Sequence, residues 1–364
     1  MTAKTVRVGI IGTGIGAEHI RALQHAPGAV IAAVCSAQRE RAEAIARQFD
    51  VPHATTDYRD LLGPDVDAVV ITTPPALHWQ MALDAIAAGK HVFCEKPLAA
   101  TLAEAVEMRD AAEAAGVVHM INHQTRFGAT YAEMQRRIAA GYLGAPTFAD
   151  ARINLNPADY LRGSLWSTSK AGWFTDAAQG GGVIAGSAGP HLFDLLRWVW
   201  GEVDAVTCTA SVTVPTITLA DGREVSGITA PDGFVALLRF VNGATATVRG
   251  MPVAYHRGGF SFEFNGTAGA LLATHTDLRG ATADDPAPQE IPVPDAPQDR
   301  VGIATRFIRA IQDGETDAAP NFNDGVAVQV ILDALDAAMA TQSWVALTPL
   351  PPSPPGKGEQ MRVL

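Results

Sequence analysis

Residues 1–122 alternate short apolar runs with amphipathic segments, and this alternation constrains the fold more than any other feature of the chain. The apolar runs predict strands at Val6–Ile11, Val30–Cys35, Val66–Thr72, His91–Cys94 and Val117–Ile121. Parallel strands that are apolar on both faces require helices on both sides of the sheet. The β-α-β-α order therefore predicts an α/β domain over residues 1–122, with a doubly wound parallel sheet and right-handed crossovers.

The segments between these strands have the spacing of amphipathic helices. They predict helices at Ile15–Ala26, Gln38–Phe49, His78–Ala88 and Leu102–Ala115. For the last helix, Thr101 is the expected N-cap and Gly116 the expected end. A hydroxyl can accept from the free amides of a first turn, and glycine readily adopts the left-handed conformation that ends a helix.

The pattern changes after Asn122, and we expect a second domain over residues 123–348. Period-2 segments predict strands at Thr147–Asn154, Val203–Val214, Phe234–Val241, Ala244–Met251, Gly259–Phe264 and Leu271–Leu278. The Asn-Gly pairs at 242–243 and 265–266 favour tight hairpins. Helices are expected at Tyr131–Ala140, His191–Trp200 and Asp324–Ala340. The second domain is thus predicted to be α+β, built on an open, mainly antiparallel sheet. The Pro-rich tail, residues 349–364, is predicted to be extended or disordered.

A glycine-rich turn, Gly12-Thr13-Gly14-Ile15-Gly16-Ala17, follows the first predicted strand and opens the first predicted helix. It fits the pattern G-x-G-x-x-G/A, with Ala17 in the third position. The first glycine permits a tight turn, the second lets the backbone approach a pyrophosphate, and a small third residue lets helix and strand pack closely. In this context the motif predicts a Rossmann domain that binds a nicotinamide dinucleotide at a helix N-terminus.

The end of the second predicted strand bears on which nicotinamide cofactor binds. Enzymes that use NAD usually carry an acidic residue there to hold the ribose hydroxyls. This chain has Ser36-Ala37-Gln38-Arg39, so no carboxylate repels a 2′-phosphate. Ser36 can donate a hydrogen bond to that phosphate, and Arg39 or Arg41 can pair with it. The sequence therefore favours NADP over NAD; alternatively, Arg39 is simply a solvated residue in the first helical turn.

Composition excludes several other classes of function. The chain has 364 residues, which suits two domains, and its net charge of −11 without a basic run argues against binding of nucleic acid. Its three cysteines give no disulfide framework, which fits a reducing compartment. We see no signal segment and no apolar run of membrane-spanning length, so we expect a cytoplasmic protein without a membrane partner. No metal site is expected, because His119 and His123 lack further ligands nearby.

The tripeptide Glu95-Lys96-Pro97 follows the strand at His91–Cys94. A lysine at the carboxyl edge of a parallel sheet borders the crevice where such folds bind ligands. An amine there can exchange a proton with a substrate if burial and neighbouring charges tune its pKa. Glu95 could orient it.

Several segments taken together resemble the Gfo/Idh/MocA family of oxidoreductases. They are the glycine turn, Thr73–His78, Ala88–Ala99, Asn122–Phe127, Gly180–Asp194 and the closing helix, so the resemblance covers nearly the whole chain in order. It implies hydride transfer between a nicotinamide and a carbon bearing a hydroxyl or carbonyl group, often on a sugar or polyol. It also implies that the cofactor contacts Gly12, Thr13, Gly14, Ile15, Thr73, Pro74, His78, Glu95 and Lys96. Lys96 and His191 match the family's catalytic lysine and histidine.

One position departs from the family pattern. An aspartate usually lies four residues before the histidine, where this chain has Ser187, and the segment is one residue longer than usual. Loss of that negative charge changes the environment of the lysine and histidine, so either another group replaces it or the chemistry differs. We expect Asp176 as the replacement and Trp173 as a surface for stacking on a sugar ring. Asn122 and Arg126 are expected next to the substrate or the cofactor.

The leading hypothesis is an NAD(P)-dependent dehydrogenase or carbonyl reductase acting on a sugar or polyol. One alternative is an enzyme that cleaves glycosides by transient oxidation, elimination and re-reduction, with no net change in the cofactor. Another is a non-catalytic sensor that binds NADPH, which the serine at position 187 makes conceivable. An open sheet has one face to cover, and the resemblance implies a homodimer or homotetramer formed through that face.

Overall fold

A computed structural model describes residues 4–155, 172–179, 181–219, 221–254, 258–295 and 299–348. The predicted Pro-rich tail, 349–364, lies outside these residues. The chain divides into two compact units. In the described ranges, the first unit comprises residues 4–123 and 300–329. The second comprises residues between 124 and 299 together with 330–348.

The first unit begins with alternating strands and helices. Its elements up to residue 123 are β1 (Val6–Ile11), α1 (Gly16–Gln24), β2 (Ala29–Cys35), α2 (Arg39–Phe49), β3 (His53–Thr55), β4 (Ala68–Ile71), α3 (His78–Ala87), β5 (His91–Cys94), α4 (Leu102–Ala115) and β6 (His119–Ile121). The strands form one sheet in the order β3-β2-β1-β4-β5-β6, and every pairing is parallel. This arrangement confirms the predicted doubly wound Rossmann sheet. The short edge strand β3 was not predicted.

The central strands are buried because both of their faces are apolar. Every residue of β4 has zero exposure, and Val92, Phe93 and Cys94 of β5 are equally buried. Helix α4 has the expected ends. Thr101 and Glu104 form a reciprocal capping box, and Gly116 closes the helix with a left-handed φ of 67°. The sheet therefore holds the carboxyl ends of β1, β4 and β5 at one edge, where the sequence placed the candidate cofactor residues.

The second unit is built on a large sheet. The next elements are α5 (Ala129–Ala139), β7 (Pro146–Asn154), a π-helical turn (Gly182–Ser187), α6 (Gly189–Trp200), β8 (Val203–Ser211), β9 (Thr216–Thr218), β10 (Glu224–Ser226), β11 (Gly233–Phe240), β12 (Thr245–Met251), β13 (Gly259–Gly266), β14 (Gly269–Thr274), β15 (Leu278–Thr282) and β16 (Gln289–Glu290). The chain ends its described part with α7 (Asp299–Asp313), α8 (Phe322–Thr341) and β17 (Val345–Ala346). Residues 300–329, which include most of α7 and the start of α8, belong to the first unit.

Among the described residues, the large sheet has nine strands in the order β16-β15-β14-β13-β7-β12-β11-β8-β17. Its pairings are antiparallel except that of β7 with β12, so the predicted open, mainly antiparallel sheet is confirmed. The segment predicted as one strand, Leu271–Leu278, is instead β14 and β15 joined by a turn. The turn forms because the Thr274 amide donates to the Asp277 carbonyl and the Thr274 hydroxyl accepts from the Asp277 amide.

One face of this sheet forms the core of the second unit. Strand β11 alternates, and its inward side chains Phe234, Leu238 and Phe240 are buried. Helix α6 packs on that face, with Phe193 against Phe234 and Trp200 edge-on to Phe240. Within the ranges described above, no helix is long and apolar enough to cross a membrane.

Candidate functional site

The glycine turn between β1 and α1 has the geometry that phosphate binding requires. Gly12 has φ 105°, and a Cβ there would lie 2.6 Å from the Thr72 hydroxyl oxygen, so only glycine fits without strain. At Gly14, by contrast, a Cβ would meet no protein atom within 4 Å. The first turn of α1 has no side-chain cap. Open space beside a helix N-terminus with uncapped amides fits the diphosphate of a dinucleotide.

Ser36 and Arg39 lie at the end of β2, as expected. The Thr13 hydroxyl donates to the Ser36 hydroxyl at 3.0 Å, which links the glycine turn to the end of this strand. Arg39 is exposed at the first position of α2 and has no ion-pair partner within the described part of the chain. Burial raises the pKa of the neighbouring Cys35 thiol to about 11, with smaller contributions from Asp57 and Asp60. The carboxylates near the end of β2, those of Asp57 and Asp60, therefore belong to the segment after β3.

The segment after β4 is tied to the segment after β5 by a buried histidine. His78 has zero exposure, and its Nε2 lies 2.8 Å from the Thr73 carbonyl oxygen. Its Nδ1 lies 3.0 Å from the Pro97 carbonyl oxygen. Burial lowers the pKa of His78, although the nearby carbonyl oxygens and Glu95 oppose the shift. The His78 ring therefore connects the segment at Thr73 with the turn at Lys96 through these two contacts.

Glu95 is the centre of a buried polar cluster at the end of β5. Its Oε1 lies 2.7 Å from His19 Nε2 and accepts a 2.7 Å hydrogen bond from the Asn122 side-chain amide. Its Oε2 accepts from the backbone amide of Lys96 at 3.2 Å. The Arg300 guanidinium, at the start of α7, lies 3.7 Å from Oε1. Asn122 therefore contacts Glu95, and two residues that the sequence did not single out, His19 and Arg300, join the cluster.

These partners keep Glu95 ionised although it is only 7% exposed. Burial alone would raise the pKa of its carboxyl group. The hydrogen bond with His19 and the electrostatic interactions with His19, Lys96 and Arg300 outweigh burial, so the pKa lies well below its ordinary value. A fixed negative charge therefore lies next to Lys96, which is half-buried and is followed by a cis bond to Pro97.

His191 lies in the first turn of α6 in the second unit. It is half-buried, its amide donates to the Ala188 carbonyl at 3.1 Å, and its ring packs edge-on near Phe260. Ser187 is the last residue of the preceding π-helical turn and is also half-buried. The wide turn is closed by the Ala188 amide, which donates to the Val183 carbonyl five residues earlier.

Arg126 has a partner that the sequence did not reveal. Its guanidinium donates to both carboxylate oxygens of Asp194, at 2.8 and 2.5 Å, and lies over the Trp198 ring. Asp194 has zero exposure and Arg126 is 8% exposed. The pair fastens the 3-10 turn Gln124–Phe127 to α6, the helix that carries His191.

Trp173 and Asp176 lie in the segment before the π-helical turn. Trp173 is half-buried and packs edge-on against Phe174. The Asp176 carboxylate accepts from the Gln179 side-chain amide and from the Ala178 amide, and these bonds lower its pKa. Among the residues that the structure describes, no three His, Cys, Asp or Glu side chains group closely enough to hold a metal ion.

Comparison with known proteins agrees with this arrangement. Residues 6–123 match an oxidoreductase family with an NAD-binding Rossmann fold, and residues 131–272 match a Gfo/Idh/MocA C-terminal domain. Levoglucosan dehydrogenase of Pseudarthrobacter phenanthrenivorans is 30% identical over 94% of this chain and 98% of the relative. Inositol 2-dehydrogenase of Acidothermus cellulolyticus is also 30% identical, over 96% of each chain. The solved structure of levoglucosan dehydrogenase with NADH has a TM-score of 0.86 at 28% identity, covering 95% of this chain and 100% of that one. The resemblance noted in the sequence is confirmed, and the chain belongs to the Gfo/Idh/MocA family of nicotinamide-dependent oxidoreductases.

Proposed function

We propose that this enzyme oxidises a ring hydroxyl of a sugar, anhydrosugar or polyol, or reduces the corresponding carbonyl. The observation that carries the proposal is the Glu95-Lys96 turn at the carboxyl end of β5, on the same sheet edge as the glycine turn after β1. Relatives named for levoglucosan, inositol and 1,5-anhydro-D-fructose support a cyclic, hydroxyl-rich substrate. One relative has been solved with NADH and levoglucosan bound.

In the proposed reaction, Lys96 exchanges a proton with the reacting oxygen. During oxidation its neutral amine takes the hydroxyl proton while the C–H bond breaks and the C=O bond forms. When bound, the nicotinamide accepts the hydride, and in reduction it supplies it. His191 is the proposed hydrogen-bonding partner of the substrate oxygen. General acid–base assistance of this kind contributes about 10²–10⁴-fold to the rate.

The remaining substrate contacts are proposed at Trp173, Asp176 and Ser187. Trp173 offers an aromatic face for a sugar ring, and Ser187 offers a hydroxyl where relatives carry a carboxylate. Asp176 supplies a carboxylate in the same unit. The two other candidates have protein partners: Asn122 donates to Glu95, and Arg126 pairs with Asp194. We therefore assign supporting roles to Asn122 and Arg126, in which they position other side chains that contact the cofactor or the substrate.

We also propose that the cofactor is preferentially NADP(H), bound with its adenosine ribose near Ser36 and Arg39. Two observations support this preference: residues 36–39 carry no carboxylate, and the exposed guanidinium of Arg39 has no ion-pair partner among the described residues. NADH bound to the levoglucosan dehydrogenase relative supports the alternative, use of NAD(H). Parallel fluorescence titrations with NADPH and NADH decide between them.

We further propose a cytoplasmic homodimer or homotetramer that associates through the exposed face of the large sheet. That face carries apolar side chains among polar ones. Val235 and Leu237 of β11, Phe148 of β7 and Met251 of β12 are each at least 40% exposed. Sedimentation equilibrium of the protein and of a Val235→Asp/Leu237→Asp variant tests the interface; a wild-type monomer contradicts it.

A substrate screen tests the proposed reaction. Sugars, anhydrosugars and polyols are offered with NADP⁺ and NAD⁺, and formation of the reduced cofactor is followed by absorbance. Lys96→Met should lower kcat about 10²–10⁴-fold while leaving the dissociation constant of the cofactor nearly unchanged. Lys4→Met, at an exposed lysine of the same unit, is the matched control. Full turnover by Lys96→Met would contradict the assignment.

The same screen distinguishes the alternative functions. Cleavage of an aryl glycoside without net cofactor reduction indicates a glycoside-cleaving enzyme. Cofactor binding without turnover on any compound supports a sensor, the alternative that the serine at position 187 makes conceivable. Neither result alters the family assignment.

A further inference from the structure

His19 occupies a position that gives it a specific task. It is the fourth residue of α1, the helix that begins at the glycine turn, and it is only 1% exposed. Its ring packs edge-on against Phe93 of β5, with centroids 5.4 Å apart, and Phe93 in turn packs against Phe307 of α7. This packing holds the imidazole plane in place, so Nε2 faces the carboxylate of Glu95 at 2.7 Å.

The two carboxylate oxygens of Glu95 have different partners, and these partners fix the orientation of the carboxylate. Oε1 meets His19 and the Asn122 amide, whereas Oε2 accepts from the backbone amide of Lys96. A carboxylate acceptor requires a proton on His19 Nε2. His19 Nδ1 is buried without a hydrogen-bond partner in the part of the chain that the structure describes. His19 Nε2 also lies 3.4 Å from a guanidinium nitrogen of Arg300. Because that nitrogen and Nε2 both carry protons, the hydrogen bond of the imidazole goes to Glu95.

We propose that His19 is a positioning residue that holds Glu95 in one orientation beside Lys96 and so links the cofactor-binding helix to the turn that carries the reacting amine. The inference rests on the proposed function, in which Lys96 exchanges the substrate proton. His19 itself contacts neither ligand in this role. It acts on the electric field at Lys96 and on the backbone of the turn.

The charged and titratable groups around Glu95 determine what loss of His19 does. Lys96 follows it in the chain, Arg300 approaches from α7, and Cys94 and His78 are the other groups whose pKa values its charge raises. Without His19, Oε1 retains the Asn122 amide and the guanidinium at 3.7 Å. Glu95 then has one donor fewer at Oε1 and is expected to turn toward Arg300, which moves its charge away from the Lys96 amine. This change weakens the negative field at the Lys96 amine.

Amine labelling measures that field without a substrate. Full-length protein is treated with trinitrobenzenesulfonate over a range of pH, and the extent of Lys96 labelling is read by peptide mass spectrometry. Glu95→Gln removes the charge and should lower the pH of half-maximal Lys96 labelling by about one unit, since a neighbouring opposite charge shifts titration by about 1–3 units. His19→Leu should shift the midpoint in the same direction. His19→Gln keeps an N–H donor and should stay close to wild type.

His119→Leu is the matched control. His119 is also buried in the first unit, on β6, but its Nδ1 accepts from the Phe322 amide and it has no contact with Glu95. It should leave the Lys96 midpoint unchanged, and labelling of exposed Lys4 should be the same in every variant. A shift common to His119→Leu and His19→Leu would reduce the role of His19 to general stability and overturn the proposal.

The remaining outcomes are also decisive. If Glu95→Gln shifts the midpoint while both His19 variants match wild type, His19 does not position Glu95. If Glu95→Gln has no effect, the carboxylate exerts no field on Lys96, and the inference also fails. If His19→Leu does not fold, His19→Met offers a second apolar side chain without an N–H donor and should shift the midpoint in the same direction; a midpoint equal to wild type overturns the proposal. Failure of the sugar screen with an intact labelling shift would reject the proposed function separately, because the labelling assay uses no substrate.

Discussion

Replacing Arg126 by Met should destabilise the second unit by about 3–5 kcal/mol, because it removes the guanidinium that pairs with the buried carboxylate of Asp194. The estimate follows from the geometry. Asp194 has zero exposure, and both of its oxygens accept from the Arg126 guanidinium. For a folding unit of 150–250 residues, each kcal/mol changes the melting temperature by about 2–4 °C, so the expected decrease is about 6–20 °C.

Thermal unfolding followed by tryptophan fluorescence is a suitable assay, because Trp198 lies against the Arg126 guanidinium. The matched control is Arg239→Met. Arg239 pairs with Asp204 at 2.6 Å in the same unit, but both side chains are about half exposed. An exposed pair contributes about 0–1 kcal/mol, so this variant should melt within a few degrees of wild type.

A double variant separates the loss of the pair from the burial of a lone charge. Arg126→Met/Asp194→Leu replaces both charges with apolar side chains and should recover most of the lost stability. The reasoning is refuted if Arg126→Met is no more harmful than Arg239→Met. In that case the pair is not desolvated, and Arg126 could instead contact the substrate. A rise in KM without loss of stability would identify that role.

Four further predictions concern the first unit. Gly14→Ala should leave the melting temperature unchanged but weaken NADH binding at least about tenfold in a fluorescence titration, since its methyl group would occupy open space beside the helix N-terminus. Gly12→Ala should lower both stability and binding. Ser36→Asp should shift preference from NADPH toward NADH, measured as the ratio of dissociation constants; an unchanged ratio places the ribose elsewhere. Burial lowers the pKa of His119 to about 4, below its ordinary 6.5. Burying the neutral ring therefore costs the folded protein no stability above pH 6.5, and the folded protein loses stability as the pH falls from 6.5 toward 4. The free energy of unfolding should fall by about 3 kcal/mol in that window, and His119→Gln should flatten the fall.

The strands and helices of the first unit were predictable because their signals are local. Apolar runs identified the central strands, and Thr101 with Gly116 marked both ends of α4 as the structure has them. Strand β3 has only three residues at the sheet edge, too few for a periodic pattern to appear. The return of residues 300–329 to the first unit depends on contacts between distant parts of the chain, such as Phe93 with Phe307, and no local pattern encodes them.

The candidate site also has one part that the sequence predicted and other parts that it did not. The glycine turn was predictable because its function lies in the backbone of a few consecutive residues. The Glu95 cluster was not, because His19 is 76 residues from Glu95 in the sequence, and a single histidine on an amphipathic helix carries no signal. The Arg126–Asp194 pair spans 68 residues, so the sequence offered Arg126 as a ligand contact, whereas the structure gives it a protein partner.

The π-helical turn before His191 explains two departures from the family pattern together. The resemblance led us to expect one residue more than usual in this segment, and a π-helical turn accommodates one extra residue without moving the helix that follows. Pro190 has no amide hydrogen to extend α6 backwards, and a Cβ at Gly189 would collide with the Ile184 carbonyl, so the wide turn suits these residues. Helix α6 therefore keeps Leu192 and Phe193 in the core, and His191 stays half-buried in its first turn. Ser187 is the last residue of the wide turn, at the position where the resemblance led us to expect an aspartate. We therefore propose that a difference in substrate or chemistry from the relatives originates at this turn, and Ser187→Asp followed through the substrate screen tests it.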